Sequence, residues 1–555
     1  MNYSITLLSV LLPYHYIINL NTENMKFNIN TINTILGISS LSISCINAQN
    51  SDNNQYKSPN VVLFLVDDYG WNDLSCTGSS FYETPNIDRI AKQGTMFVNN
   101  YAACSVSSPS RASILTGKTP ARHGITNWIG DSFGVETAQK NNTKIIQPQF
   151  KEQLPTTETT LVKSLKENGY STFIAGKWHL GNLSPLEYGF DVNKGGWEQG
   201  RPDSYFSPYN NPVLKDGPTG EDLTLRLAKE TVSYINSQSN SDKPFFAFLS
   251  FYAVHSPIQT TQEKWSYFRD KAEKKGIADS GFIIDRTLPV RQTQDNPVYA
   301  GLISSLDDAV GMVLDELERL NMTDNTIIVF TSDNGGVSSG DNYSSSNLPL
   351  RGGKGRQWEG GTRVPMFIMA PGNKLQGKKV TTPSIHMDIY PTILDLANIP
   401  SKPKQHIDGV SLKPLIYNNG TINNRALYWH YPHYGNQGGE PAAYVREGDW
   451  KLIKYWEDSR IELYNLKNDI GEINCIANKH PKKVKELEQK LNKWLKETGA
   501  SIPEINKNFD LALYKDQLIK KQTKQLNQQE KLRLNQLTKD WKPNNNWWGS
   551  QLTID

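Results

Sequence analysis

Five stretches of the chain are apolar without interruption and rich in β-branched or aromatic residues. They are "NVVLFLV" (60–66), "TFIAG" (172–176), "PFFAFLSFYA" (244–253), "TIIVFTS" (326–332) and "VPMFIMA" (364–370). Polar residues, Gly or Pro bound each run, so each predicts a strand buried on both faces. Between them lie stretches of helical period. In "YAGLISSLDDAVGMVLDELERL" (299–320), apolar residues recur at intervals of three and four. Buried strands alternating with helices predict an α/β fold with a large, mixed, mostly parallel sheet flanked by helices, spanning residues 58–415.

The texture changes after residue 415. "RALYWHYPHYG", "AAYVREGDWKLIKYW" and "RIELYNL" alternate as antiparallel strands do, and "PKKVKELEQKLNKWLKE" (481–497) is an amphipathic helix. A smaller C-terminal α+β subdomain is expected over 416–500. The Gln-, Lys- and Asn-rich residues 501–555 read as a polar tail, a solvated helix or flexible segment without chemistry of its own. At the other end, residues 1–48 read as address. Met25 and Lys26 precede an apolar run from Ile35 to Ile46, and Ala48 suits cleavage. The run is too short and serine-rich to span a bilayer stably. Residues 1–24 look like an upstream extension. The expectation is an exported protein, periplasmic or secreted, with Cys45 as an alternative lipidation site.

Composition narrows the classes. The 555 residues are 37% hydrophobic with 13 Trp, enough for a sizeable core. A net charge of +3 over 59 basic and 56 acidic residues gives no footprint for nucleic acid, so an anionic ligand needs a local cluster. Without Cys45, three cysteines remain (76, 104 and 475), so at most one disulfide can form.

In a largely parallel sheet, ligands gather beyond the carboxyl ends of the strands. Run 60–66 is followed by Asp67-Asp68, run 172–176 by Lys177-Trp178-His179, and run 326–332 by Asp333-Asn334. Run 244–253 is followed closely by His255. Chemistry-bearing residues thus recur four times at one structural place, which predicts a single composite site. Asp67, Asp68, Asp333 and Asn334 offer hard oxygen ligands suited to Ca²⁺ or Mg²⁺. No His/Cys cluster has zinc spacing. Lys177, His179, His255 and Lys354, the last in "RGGKGRQWEGGTRVP", supply cations and proton donors. Together they suit a tetrahedral oxyanion substrate.

The stretch "CSVSSPSRASILTG" (104–117) contains Ser107-x-Pro109-Ser110-Arg111 followed by Leu115-Thr116-Gly117. It resembles the defining signature of type I sulfatases, members of the alkaline phosphatase superfamily. "GYSTFIAGKWH" (169–179) resembles the family's second signature, and "VDDYGWND", "HSP", "SDNGG" and "GGKGRQWEGGTRVP" follow in family order. The likeness runs from about residue 58 to 500 and implies an alkaline phosphatase-like fold. It further implies that Ser107, at the first signature position, is converted to formylglycine by a maturation enzyme, as in the serine-type bacterial branch. Cys104 lies three residues too early. One hydroxyl of the hydrated aldehyde then attacks sulfur, and the other allows sulfate to be released. A plain serine would form a sulfate ester with no second hydroxyl to expel it. By the same resemblance, Asp67, Asp68, Asp333 and Asn334 hold Ca²⁺, which also contacts residue 107. Arg111 and Lys177 stabilise developing charge, and His179 assists elimination. His255 and Lys354 face the bridging oxygen, with His255 the general acid. Pro109 and Ser110 shape the turn.

The export signal, the aromatics and the serine-type signature point to a sulfated carbohydrate: an algal polysaccharide such as ulvan or a galactan, or oligosaccharides from it. Glycosaminoglycans remain open. "GGWEQGRPDSYFSPYNNP" (195–212) and "HYPHYGNQGG" (430–439) nominate Trp197, Arg201, Asp203 and His433 as substrate contacts, with Trp358 beside Lys354. Two other readings stay in play. One is a phosphomonoester or phosphonate hydrolase of the same superfamily, and the other is an unmodified polysaccharide-binding protein.

Overall fold

The computed structural model describes residues 58–417 and 420–541; the leader, with Cys45, lies outside them. At its centre is an eight-stranded sheet. In chain order its strands are β1 (Asn60–Val66), β2 (Thr95–Phe97), β3 (Ser171–Gly176), β4 (Val192–Lys194), β5 (Phe245–Ser250), β6 (Thr326–Ser332), β7 (Met366–Met369) and β8 (Lys378–Val380). Their spatial order is β8-β2-β7-β6-β1-β5-β3-β4. Only β7 runs against its neighbours, β6 and β2; every other pairing in the sheet is parallel.

The continuous apolar runs follow from this position. All seven residues of β1 are buried, and the six after Asn60 are apolar on both faces. Val62, Phe64 and Val66 face a core made with α1 (Pro85–Gln93), α4 (Leu223–Gln238), α5 (Gln262–Lys275) and α6 (Pro297–Arg319). Val61, Leu63 and Leu65 face the opposite core, with α2 (Ser107–Thr116), α3 (Leu161–Glu167) and α7 (Ile389–Leu396). Each such side chain contributes about 1.5–3 kcal/mol by burial. Helix α6 has a clear start: Pro297 occupies its first turn, and the Asn296 side chain accepts from Val298 N and Tyr299 N. It is long and apolar enough to cross a membrane, yet 83% of its apolar window is buried in the protein, so it reads as the core helix of the main domain.

The C-terminal part is an antiparallel meander of β9 (Ala426–Tyr431), β10 (Ala442–Glu447), β11 (Trp450–Tyr455) and β12 (Ile461–Asn465). Alternation divides its faces. Ala442 and Tyr444 pack with Trp358, Ile385 and Met387, while Ala443 and Val445 pack under Leu487, Leu491 and Leu495 of α8 (Pro481–Glu497). A buried ion cluster pins the seam between this sheet and the main domain. Lys451 Nζ lies 2.9 Å from Glu472 Oε1 and 3.2 Å from Glu359 Oε1, and the Tyr101 hydroxyl donates to Glu359 Oε2 at 2.6 Å.

The polar stretch after residue 505 forms a docked helix, α9 (Leu511–Gln536), rather than a flexible tail. Few of its side chains are apolar and buried, so periodicity gives no sign of the contact. Polar anchors make it instead. Asn142 and Asp510 exchange hydrogen bonds at 2.8 and 2.9 Å at the helix start. At the far end, Arg533 Nη1 meets Asp295 Oδ2 at 2.7 Å, and Trp265 Nε1 donates to Gln536 O at 3.0 Å.

Candidate active site

Strand register brings the predicted residues together. Val66 stands beside Ser332, while Ser250 pairs with both Leu65 and Gly176. Four strands therefore end in one line, and Asp67-Asp68, Asp333-Asn334 and Lys177 leave the sheet side by side. Asp68 (φ 64°) and His179 (φ 56°) take left-handed backbone conformations just past their strands, a type of strain that clusters at functional sites.

Ser107 is the first residue of α2, where the helix presents its unpaired N–H groups. Its Oγ lies 3.1 Å from Asp67 Oδ1, 3.2 Å from Asn334 Oδ1 and 3.2 Å from Lys177 Nζ. Arg111, one turn later on the same helix face, donates through Nε to Asp333 Oδ2 at 2.8 Å. Its Nη1 reaches Ser250 Oγ at 2.7 Å, and its buried Nη2 has no hydrogen-bond partner, 3.7 Å from Asp67 Oδ1. Ser110 Oγ bonds both the amide and the carbonyl of Cys104, tying the preceding loop to the helix. Cys104 is buried, and its thiol is pushed up to about 12 by desolvation.

The oxygens of Asp67, Asp68 and Asp333 lie within 4.8 Å of one another, all buried. With Asn334 Oδ1 turned toward Ser107, the donor set is oxygen only, which fits a hard divalent cation and not zinc. In the chain alone, lysines hold these acids. Lys177 Nζ is 2.7 Å from Asp67 Oδ2, and Lys354 Nζ is 2.8 Å from Asp68 Oδ2. Burial raises Asp67 despite Lys177, whereas burial is outweighed at Asp68 by Lys354 and at Asp333 by Arg111 and Lys177, so both are lowered. Carboxylates crowded this closely gain from a cation that ionises all three.

His255 Nδ1 donates to Ser256 O at 2.8 Å, which leaves Nε2 to accept from Lys354 Nζ at 3.0 Å. Burial and the adjacent Lys354 lower His255 to about 4, so the resting imidazole is neutral. Burial is outweighed at Lys354 by Asp68 and Asp341, which keep the ammonium charged. His179 places Nε2 3.1 Å from Ile129 O and Nδ1 3.3 Å from Ser108 Oγ, so its polar partners here are not Ser107.

Ser107, His179, His255 and Lys354 line a cleft of about 610 Å³. Arg201, alone among the five proposed substrate contacts, lines it too. Trp197 packs against the main core next to the lining residue Glu198, and Asp203 lies off the cleft wall. Trp358 and His433 correct the sequence reading. The Trp358 ring is wholly buried with the Arg351 guanidinium 3.8 Å from its centroid, and His433 is buried with Nε2 2.9 Å from Thr126 Oγ1. A side chain at Gly352 would come within 3.3 Å of the Trp358 ring, and the His433 ring packs edge-on against Phe150 and Tyr431. Sequence reasoning missed Trp128 and Asp341 on the cleft wall, and within the nominated stretch 430–439 it singled out His433 where Asn436 and Gln437 line the wall. All four sit in loops without periodicity; only a contact such as Asp341 with Lys354 (3.6 Å) reveals them.

The sulfatase family model matches residues 59–399, and that of the N-sulphoglucosamine sulphohydrolase C-terminal region matches 354–501. A "Sulfatase" from Formosa agariphila is 31% identical over 547 residues, covering 84% of this chain and 94% of its own. Human N-acetylgalactosamine-6-sulfatase is 32% identical, over 67% of this chain and 68% of its own. Among solved structures, Ps i-CgsB in complex with k-i-k-neocarrahexaose is 29% identical with a TM-score of 0.63, covering 79% of this chain and 92% of that one. With the signature serine placed at the ends of the central strands, the chain belongs to the sulfatase family: it is a type I sulfatase, a sulfuric ester hydrolase.

Proposed function

We propose that this sulfatase cleaves sulfate esters on a sulfated carbohydrate, through a formylglycine made from Ser107 and with Ca²⁺ held by Asp67, Asp68, Asp333 and Asn334. The observation that carries the reading is Ser107 Oγ, set within 3.1–3.2 Å of a carboxylate, an amide oxygen and an ammonium at the base of the cleft. A hydrated formylglycine supplies a nucleophilic hydroxyl and a second one for product release, and a hard cation supplies Lewis-acid polarisation of a sulfate oxygen.

The chain's own residues do the rest. Lys177 and Arg111 hold Asp67 and Asp333 in place and keep positive charge beside residue 107. Lys354 neutralises sulfate oxygens at the cleft wall. A sugar alkoxide leaves poorly, and the His255–Lys354 pair holds one proton between Nε2 and Nζ to deliver to it. Carbohydrate as substrate draws support from the named relatives and from Trp128 and Arg201 on the wall. An algal polysaccharide such as a galactan or ulvan, or fragments of one, is the class we favour. The leader Met25–Ala48 supports export to the periplasm or medium, and Ser107 calls for a maturation enzyme as partner.

The direct test is the mass of the tryptic peptide carrying Ser107. Oxidation to the aldehyde makes it about 2 Da lighter. A preparation that turns over sulfate esters with this peptide wholly unmodified overturns the mechanism.

A further inference from the structure

A second cleft, of about 560 Å³, adjoins the first. Asn436 lines both, so the loop joining β9 to β10 is their common wall. That loop is fixed. Gln437 O accepts from Arg356 Nε at 2.9 Å, and a side chain at Gly439 would collide with Gly355 O. The opposing walls come from Lys140 and Lys144 and from Tyr514, Gln517 and Lys521 of α9. Helix α9 is about 39 Å long by its 26 residues and is pinned at both ends. It lies beyond residue 501, where the matched family models stop.

Charge decides what such a cleft accepts. Its carboxylates are already engaged: Glu457 by Lys144 Nζ at 2.7 Å and Tyr434 OH at 2.8 Å, Glu440 by Arg460 at 2.7 Å, and Asp131 by Asn127 at 2.6 Å. Lys140 and Lys521 have no carboxylate partner among the described residues. Lys140, Lys144 and Lys521 stand against Asp131, Glu440 and Glu457. Because those carboxylates are engaged while Lys140 and Lys521 are in no salt bridge among the described residues, two ammonium groups are available to an incoming anion beside Tyr514 and amide side chains, a composition suited to an anionic sugar chain.

We propose that this second cleft binds the non-reacting, anionic continuation of a sulfated polysaccharide whose adjacent unit occupies the active-site cleft. The proposal rests on the carbohydrate reading above. It makes α9 a substrate-binding element and gives the enzyme a preference for chains over isolated sulfated monosaccharides.

The test uses the full-length Ser107→Ala protein with dextran sulfate as probe, titrated at physiological salt. Adding Lys140→Glu and Lys521→Glu should weaken binding at least about tenfold. Adding Lys515→Glu and Lys520→Glu, the same charge change on α9 outside the cleft, should weaken it less than about twofold. Equal losses in the two double variants, or none in the first, overturn the proposal. In the active chain, Lys140→Glu/Lys521→Glu should leave kcat/KM on a small aryl sulfate unchanged. If the parent chain itself fails on aryl sulfates, the catalytic reading fails, while the binding comparison still judges the cleft.

Discussion

The cluster around Ser107 and the Glu359–Lys451–Glu472 cluster are built from the same residue types, and both are buried. Ser107 and Lys354 of the first line the cleft of about 610 Å³, whereas Glu359, Lys451 and Glu472 of the second are closed off from solvent. In the seam, Lys451 serves Glu472 and Glu359, Arg363 Nη1 lies 3.7 Å from Glu359 Oε2, and burial, with Lys451 opposing, pushes Glu472 up to about 7. At the strand ends, three acids meet Lys177, Lys354 and Arg111, with a hydroxyl among them and an arginine nitrogen left without a partner. Buried charge alone therefore marks no active site. What marks one is charge crowded beside a nucleophile and open to a ligand.

The sharpest division between the clusters is turnover against stability. Ser107→Ala should lower kcat/KM on an aryl sulfate by at least about 10⁴-fold, with melting temperature unmoved. Residual turnover near the parent rate would move the nucleophile elsewhere. Metal removal comes next. Chelation should abolish activity and lower the melting temperature, and Ca²⁺ should restore both better than Zn²⁺. At a hundred times its Kd, the ion adds about 2.7 kcal/mol of stability. Full activity in stripped protein would reduce the acidic cluster to a structural role.

His255→Ala should cost about 10²–10⁴-fold on a sulfated sugar and far less on an aryl sulfate with an acidic phenol, which needs no proton to leave. Equal losses would assign the proton to Lys354. The seam behaves in the opposite way. Lys451→Ala strands Glu472 and weakens the hold on Glu359, and should cost about 3–5 kcal/mol in denaturant unfolding, with kcat per folded molecule retained.

The smallest effect is a slope. Because Glu472 titrates near 7 folded and near 4.5 unfolded, the native state binds the extra proton between those values. Its contribution to stability is therefore lost as pH rises from 4.5 through about 7. Glu472→Gln should remove that part of the pH dependence, read as the difference between variant and parent unfolding free energies across pH 4.5–8. Identical slopes would show Glu472 ionised throughout.

The five long apolar runs were legible because full burial on both faces writes itself as an unbroken hydrophobic segment. Strands β2, β4 and β8 were not, since three residues at or near the sheet edges carry no period. The convergence of Asp67, Lys177, His255 and Asp333 could be read from strand-end position alone, because parallel register turns equal positions into neighbours. Trp358 and His433 misled, since an aromatic ring among glycines looks the same whether it faces a sugar or a packed seam. A helix was one of two readings for the stretch that forms α9, but its docking escaped because it uses Asn142, Asp295 and backbone carbonyls, and polar anchoring leaves no hydrophobic stripe.

Every residue from 101 to 117 is buried in the folded chain, and Ser107 is only 3% exposed. On the maturation proposed above, this sets a clock. A macromolecular catalyst must grip the signature as extended chain, and helix α2 withdraws it once the sheet has formed. Conversion and folding are then competitors in time, and a chain that folds first hides its serine. A molecule that folds with its serine intact must reopen this segment before it can be converted. The specific activity of any batch becomes a record of that race, written before the protein reached its native state.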